Sequence, residues 1–170
     1  NFDRSKQPLP GAAANLIIPT YWTKTLGNDL KVIGTYAEEL PTVSIQLAVG
    51  AGHVFDPNEK AGLAALTAEM FKESTINNAG EVLSQALSNM GSRIDVNANA
   101  TEIVFTISAL VKNLDSTLAI LKEIFFTPVM DQDEFGKVKN KMLQNIANQN
   151  MQATAIANNS YTKFLYGNKH

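Results

Sequence analysis

Residues Ala61 to Thr75, AGLAALTAEMFKEST, fix the plan of the chain. They are rich in strong helix formers, and neither Gly nor Pro interrupts them after Gly62. Leu63, Leu66 and Met70 fall at i, i+3 and i+7, which predicts a helix with one apolar stripe. Such a stripe has to be buried against another layer, and the residues just before supply one. Val43, Ile45, Leu47 and Val49 alternate with Thr42, Ser44, Gln46 and Ala48, the period of a half-buried strand. Gly50-Ala51-Gly52 ends that strand, and a polar loop from Asp56 to Lys60 leads to the helix.

The rest of the chain repeats these two patterns. Tyr21 to Leu26 and Leu30 to Thr35 flank Gly27-Asn28-Asp29 and predict a hairpin, since Asn and Gly tolerate positive φ. A second helix follows the first, with Asn78 as its cap, Glu81 three residues on, a stripe of Leu83, Leu87 and Met90, and Gly91 as its stop. Ile94, Val96 and Ala98 alternate in one strand, and Ile103, Phe105, Ile107 and Ala109 in the next, with Asn99-Ala100-Thr101 as the turn. A helix opening at Asn113 carries Leu114, Leu118, Leu121 and Phe125 on one face and ends before Pro128. Asp131 or Asp133 caps a longer helix with Phe135, Val138, Met142 and Ile146 inward, and Ala153 to Tyr166 is a last helix. Strands joined by short links pair antiparallel. The expected class is therefore α+β, an antiparallel-rich sheet with helices packed on one face.

Composition narrows the function. Net charge is −2, without the basic surplus of a nucleic-acid binder. No apolar run approaches the length of a membrane-spanning helix. Cysteine is absent, which excludes disulfides and thiolate metal sites. Residues 1–14, with Pro8, Pro10 and Gly11, are a lead-in linker, and residues 15–170 are expected to form a single domain. The absence of an initiator Met and the ending LYGNKH suggest a fragment of a longer chain.

The stretch from Gly62 resembles the first catalytic helix of the M16 (pitrilysin/insulinase) zinc peptidases, where Gly-Leu-Ala-His-x-x-Glu-His-Met is followed by a Lys-Gly-Thr-like end. Gly62, Leu63, Ala64, Met70, Phe71, Lys72 and Thr75 match that frame. The opening FDRSKQPLPG, Leu30-Lys31-Val32, the segment Gly91 to Leu110, and Pro128 with the Phe135 helix resemble further parts of the family. The implied fold is the M16 peptidase-like (LuxS/MPP-like) domain.

The chemistry of that motif is missing. The inverted zinc motif H-x-x-E-H reads Ala65, Leu66, Thr67, Ala68, Glu69. The resemblance puts the third ligand, a Glu in the family, at Asn145, 76 positions beyond Glu69. A catalytic zinc needs about three side-chain ligands and an open position for water, so no catalytic, metal or cofactor residue is expected here. The plainer readings are that Ala65 and Ala68 are packing or helix surface, Glu69 is solvated, and Asn145 is a satisfied buried polar group. The two histidines, His53 and His170, lie outside the motif frame, and His53 is expected in a loop.

The resemblance implies a non-catalytic half of an M16 peptidase, first domain only. Its partner would be an active half, on the same chain or a separate subunit, that carries the zinc. Together they would close a chamber around a peptide substrate, with the Ser92 to Asn99 strand as the edge that peptide joins. The alternatives are a structural assembly subunit with no peptide role, or an enzyme using Glu69, Asp95 and Glu102 as acid and base groups. Bacterial relatives of this layout imply a periplasmic location.

Overall fold

The computed structural model describes residue 11, residues 19–37 and residues 39–167. Apart from Gly11, the lead-in expected over residues 1–14 lies outside the described residues, as does His170. The chain divides into two compact units, Asn1–Leu40 and Pro41–His170.

In the first unit β1 (Tyr21–Thr25) and β2 (Lys31–Thr35) form the expected antiparallel hairpin, Tyr21 opposite Thr35 and Thr25 opposite Lys31. The left-handed backbone that closes it belongs to Asp29, at φ 63°, and not to Gly27 or Asn28. Asp is one of the few side chains that tolerate that region. Gly34 is needed for a different reason. The Trp22 ring lies across it, and a Cβ there would stand 2.3 Å from the ring. The two strands form a sheet of their own.

The second unit is built on a three-stranded antiparallel sheet in the order β3 (Thr42–Val49), β5 (Ile103–Leu110), β4 (Arg93–Ala98). Register aligns the apolar positions of all three strands. Leu47 and Val96 both stand opposite Phe105, and Ile45 and Ile94 both stand opposite Ile107. That face is covered by helices α1 (Leu63–Met70), α2 (Gly80–Asn89) and α3 (Leu114–Phe126), which contribute Ala68, Leu83 and Ile124 to one core with Val96, Ile103, Phe105 and Ile107. Phe71, Phe105 and Phe125 meet within it at centroid separations of 5.2–6.3 Å, offset geometries that add to plain burial. Alternate positions such as Ser44, Gln46 and Ser108 are exposed. β3 and β4 are the outer strands of this sheet among the described residues.

Several helix details differ from the sequence reading. α1 is shorter than Ala61–Thr75, because Thr75 leaves the helix and bridges to Pro128. Ser74 and Ile76 extend that contact, through Val129 N–H to the Ser74 carbonyl (2.8 Å) and Ile76 N–H to the Thr127 carbonyl (3.0 Å). The buried side of α1 is Ala64, Ala68 and Met70, while Leu63 is 43 % exposed. Small residues let the helix axis approach the sheet closely, which an i, i+3 count of large residues does not register. Asn78 does not cap α2; the N-cap is Ala79. The Asn78 amide instead donates to Glu123 on α3 (2.9 Å), which also accepts the Thr75 hydroxyl. Those two bonds, Thr75 first, hold the Glu123 carboxyl below its usual range. The buried polar side chains on α3 and before β4 are satisfied, Thr117 meeting both the Ser92 hydroxyl and the Asn113 carbonyl at 2.8 Å.

α4 (Gln132–Gln149) is capped by Asp131, whose side chain accepts from Glu134 N–H at 2.9 Å. Val138 is its one buried residue. Beyond Met142 the helix is exposed, as is nearly all of α5 (Ala153–Tyr166), which buries nothing. Leu143, Ile146, Met151, Tyr161 and Phe164 all stand more than half exposed.

The loop after β3 is pinned to the β4–β5 turn by His53 N–H to the Asn99 carbonyl (3.0 Å) and Val54 N–H to the Ala100 carbonyl (2.9 Å). Gly52 sits so close that a Cβ would lie 2.3 Å from the Glu102 nitrogen. Gly52→Ala must push backbone apart and should cost about 1–3 kcal/mol of stability, the usual range for overpacking. Urea denaturation of both proteins checks this, and an unchanged midpoint would contradict the close approach.

Candidate functional site

The four positions of the altered motif come together. α1 packs against both β4 and α4. Between them lies a cavity of about 280 Å³ lined by Ala65, Ala68, Glu69 and Asn145, together with Asn97 of β4 and Lys141 of α4. Ala65, Ala68 and Glu69 lie within one turn of α1, and α4 runs alongside and brings Asn145 to the same space. A second cavity of about 270 Å³, lined by Leu63, Leu66, Met70, Met130 and Phe135 among others, takes none of Ala65, Ala68, Glu69 and Asn145.

Each residue sits in a definite environment. Ala68 is 2 % exposed and belongs to the core as well as to the cavity wall. Ala65 is half-buried. Glu69 is bonded to Lys72 Nζ at 2.6 Å, and the same ammonium reaches Asn97 Oδ1 at 3.5 Å. Asn145 is exposed, not the buried polar group expected, because it borders an open cavity and not a packed core. The remaining lining is largely uncharged, including Gln149 and Met142.

This donor set does not fit a catalytic zinc. Ala65 and Ala68 carry no donor atom, Glu69 is already paired with a cation, and Asn145 offers only a neutral amide oxygen. Three ligands and a water position are what such a centre requires. Among the described residues no group of three or more His, Cys, Asp or Glu side chains is placed to hold a metal. The candidates for a separate acid–base pair are not assembled either. Glu69 and Asp95 line different cavities, and Asp95 is bonded to Arg93. Glu102 stands at the β4–β5 turn, its N–H bonded to Asn99 Oδ1 at 2.8 Å.

Sequence reasoning missed the residue that anchors α1. Asp56 reaches across from the preceding loop. Its carboxylate accepts from Gly62 N–H and Ala64 N–H, both at 2.9 Å, and lies 3.7 Å from His53 Nδ1. Those N–H groups belong to the helix start, where a carboxylate is favoured. The available signal was an Asp in a polar loop ahead of a helix that opens on Gly, which is itself unable to cap with a side chain. His53 is found in a single 3₁₀ turn, His53–Phe55, as the loop residue expected.

Burial acts to raise the Asp56 carboxyl, but the Ala64 and Gly62 N–H groups, with His53 beside them, hold it below its ordinary value of 3.8. A depressed native pKa stabilises the fold above the unfolded value and loses that effect as pH falls through the native one. Asp56→Asn should therefore melt below the wild type at neutral pH. The gap should narrow below about pH 4 and close once Asp56 is protonated in both states. A gap that held constant from pH 6 to pH 2 would contradict a charged cap.

Comparison with known proteins gives consistent kinship. The family described as Insulinase (Peptidase family M16) matches residues 31–170. The non-peptidase homolog YmxG of Helicobacter pylori is 26 % identical over 143 residues, 83 % of this chain and 33 % of that protein. The uncharacterized zinc protease YmxG of Bacillus subtilis is 19 % identical over 144 residues, 85 % of this chain and 35 % of that one. Among solved structures, a peptidase M16 inactive domain from Pseudomonas fluorescens superposes with a TM-score of 0.74 at 23 % identity, over 88 % of this chain and 36 % of its own. A protease from Helicobacter pylori gives 0.67 at 20 % identity, over 75 % and 31 %. The chain thus spans about a third of the length of each of these relatives.

Proposed function

This chain belongs to the insulinase family of peptidases, family M16, and on that premise we propose that it is a non-catalytic part of an M16 peptidase, which pairs with an active half to close the chamber and helps to hold peptide substrate. The observation that carries the reading is the α1–α4 cavity. The positions that would have to supply zinc ligands and a general base share one cavity and offer no fitting donor set. Hydrolysis, and the zinc it needs, would then belong to the active half, on this polypeptide or another. A relative of similar sequence is itself named a non-peptidase homolog.

Two features support a partner and a peptide. Leu143 and Ile146 on α4, Met151 between the helices and Phe164 on α5 are large apolar side chains each more than half exposed. Exposed apolar side chains of this size are what a protein partner would cover. β4 is an outer strand, and an outer strand can accept an extended peptide through main-chain hydrogen bonds. A chain that binds an active half but no peptide would instead be a structural assembly subunit.

The metal side of the proposal is tested directly. The purified chain should carry no stoichiometric zinc, and a chelator should leave its melting temperature unchanged, because only a metal bound to the native state would stabilise by mass action. Reconstruction is the stronger test. Ala65→His, Glu69→His and Asn145→Glu together restore three ligands around one cavity. A carboxylate at Ala68 is best left out, since that position is 2 % exposed within the core. Calorimetry should show zinc binding by the triple variant, weakened by roughly 10–100-fold for want of supporting partners, and no peptide cleavage. The double variant that keeps Asn145 should bind still more weakly; equal binding by both would remove Asn145 from the third-ligand position.

A further inference from the structure

Successive residues of β4 line two cavities on the helix side of the sheet, Ile94 to Val96 the one and Asn97 and Ala98 the other. One, of about 210 Å³, is walled mainly by Phe71, Leu83, Leu87, Ile94 and Ile124, and its charged members Lys72 and Asp95 are opposite in sign. The other is the α1–α4 cavity, beside Asn97 and Ala98. Among the described residues β4 pairs only with β5, and no other backbone group bonds to its strand residues. An extended ligand laid on this edge would point alternate side chains toward the helices, about 6.6 Å apart.

The charges along the edge are mostly spent on each other. Arg93 is bonded to Asp95, with Nη2 3.0 Å from Oδ1, and Lys72 holds Glu69. Lys141, which lines the α1–α4 cavity, has no ion-pair partner among the described residues. Beside it stand the amides of Asn97, Asn145 and Gln149. The Asn97 oxygen already accepts from Lys72, which leaves its NH₂ to donate. A cavity with one uncompensated ammonium and several amide donors is complementary to a carboxylate. The apolar cavity beside it is complementary to a large aliphatic side chain.

Building on the peptide-holding role proposed above, we propose that this edge selects extended peptides that carry an acidic side chain, whose carboxylate enters the α1–α4 cavity and meets Lys141. Glu69 does not repel it outright, because Lys72 offsets that charge at 2.6 Å. Selection is by side-chain charge at one position, with the main chain free to pair with β4 whatever the remaining sequence.

Fluorescence anisotropy of the whole chain with labelled host peptides tests this. The host alternates Leu with Thr, so that the apolar cavity is served in any register, and carries one central guest, Glu, Gln or Lys. The Glu peptide should bind about 2–5-fold tighter than the Gln peptide, the range of an exposed ion pair, and the Lys peptide should bind weakest. High salt should shrink the difference. Lys141→Arg should keep the preference, Lys141→Ala should remove it, and Lys141→Glu should turn it toward the Lys guest. Lys141 is exposed, so none of these changes threatens the fold. Equal binding of Glu and Gln guests, or an undiminished preference in Lys141→Ala, overturns the inference and leaves peptide holding intact. Failure of every guest to bind overturns the peptide-holding role itself, and the acidic preference with it.

Discussion

The second unit depends on how closely α1 can approach the sheet. Ala64 and Ala68 make that approach possible, and Ala68 is packed into the same cluster as Phe105 and Val96. A residue with a long polar side chain at position 68 would have to open the helix away from the sheet or turn its head into the cavity. The resemblance to M16 peptidases puts a catalytic Glu at that position. One alanine therefore has two consequences: it tightens the core, and it leaves position 68 itself without a side chain able to take a proton.

The two ends of α1 are held by other interactions. Asp56 binds the first N–H groups of α1 from outside the helix, so the absence of a capping side chain at Gly62 costs nothing that is not supplied elsewhere. At the other end, Thr75, Asn78 and Glu123 tie the segment after α1 to α3, and the bridge to Pro128 adds backbone contacts. None of these residues belongs to the altered motif. The contacts that anchor both ends of α1 thus use none of Ala65, Ala68, Glu69 and Asn145.

Periodicity made most of the elements legible in the sequence. The alternation in Val43–Val49 and Ile103–Ala109 gave strands that pair in one register, and Pro128, Asp131 and Gly91 marked helix ends where the structure has them. The resemblance to the M16 frame put Ala65, Glu69 and Asn145 around one space, and the structure brings the three to one cavity. Interactions between distant residues were not legible. Asn78 looks like a cap locally but is recruited by Glu123, 45 positions away. Asp56 looks like loop but acts as a cap eight positions ahead. Asn145 lies on a stripe with Val138 and Met142 yet is exposed, because a stripe says which way a residue points and not whether anything is there to meet it.

β3 carries a further consequence. Its sequence, TVSIQLAV, has no charge, no proline and no bulge over eight residues, and its outer side is unpaired among the described residues. Proteins ordinarily guard such edges with lysine, proline or a covering segment, because open main-chain groups on a flat strand recruit other strands. This strand has none of the usual guards within its own residues. Among the described residues this unguarded edge is therefore a place where another strand, from this chain or a different one, can add by main-chain pairing alone.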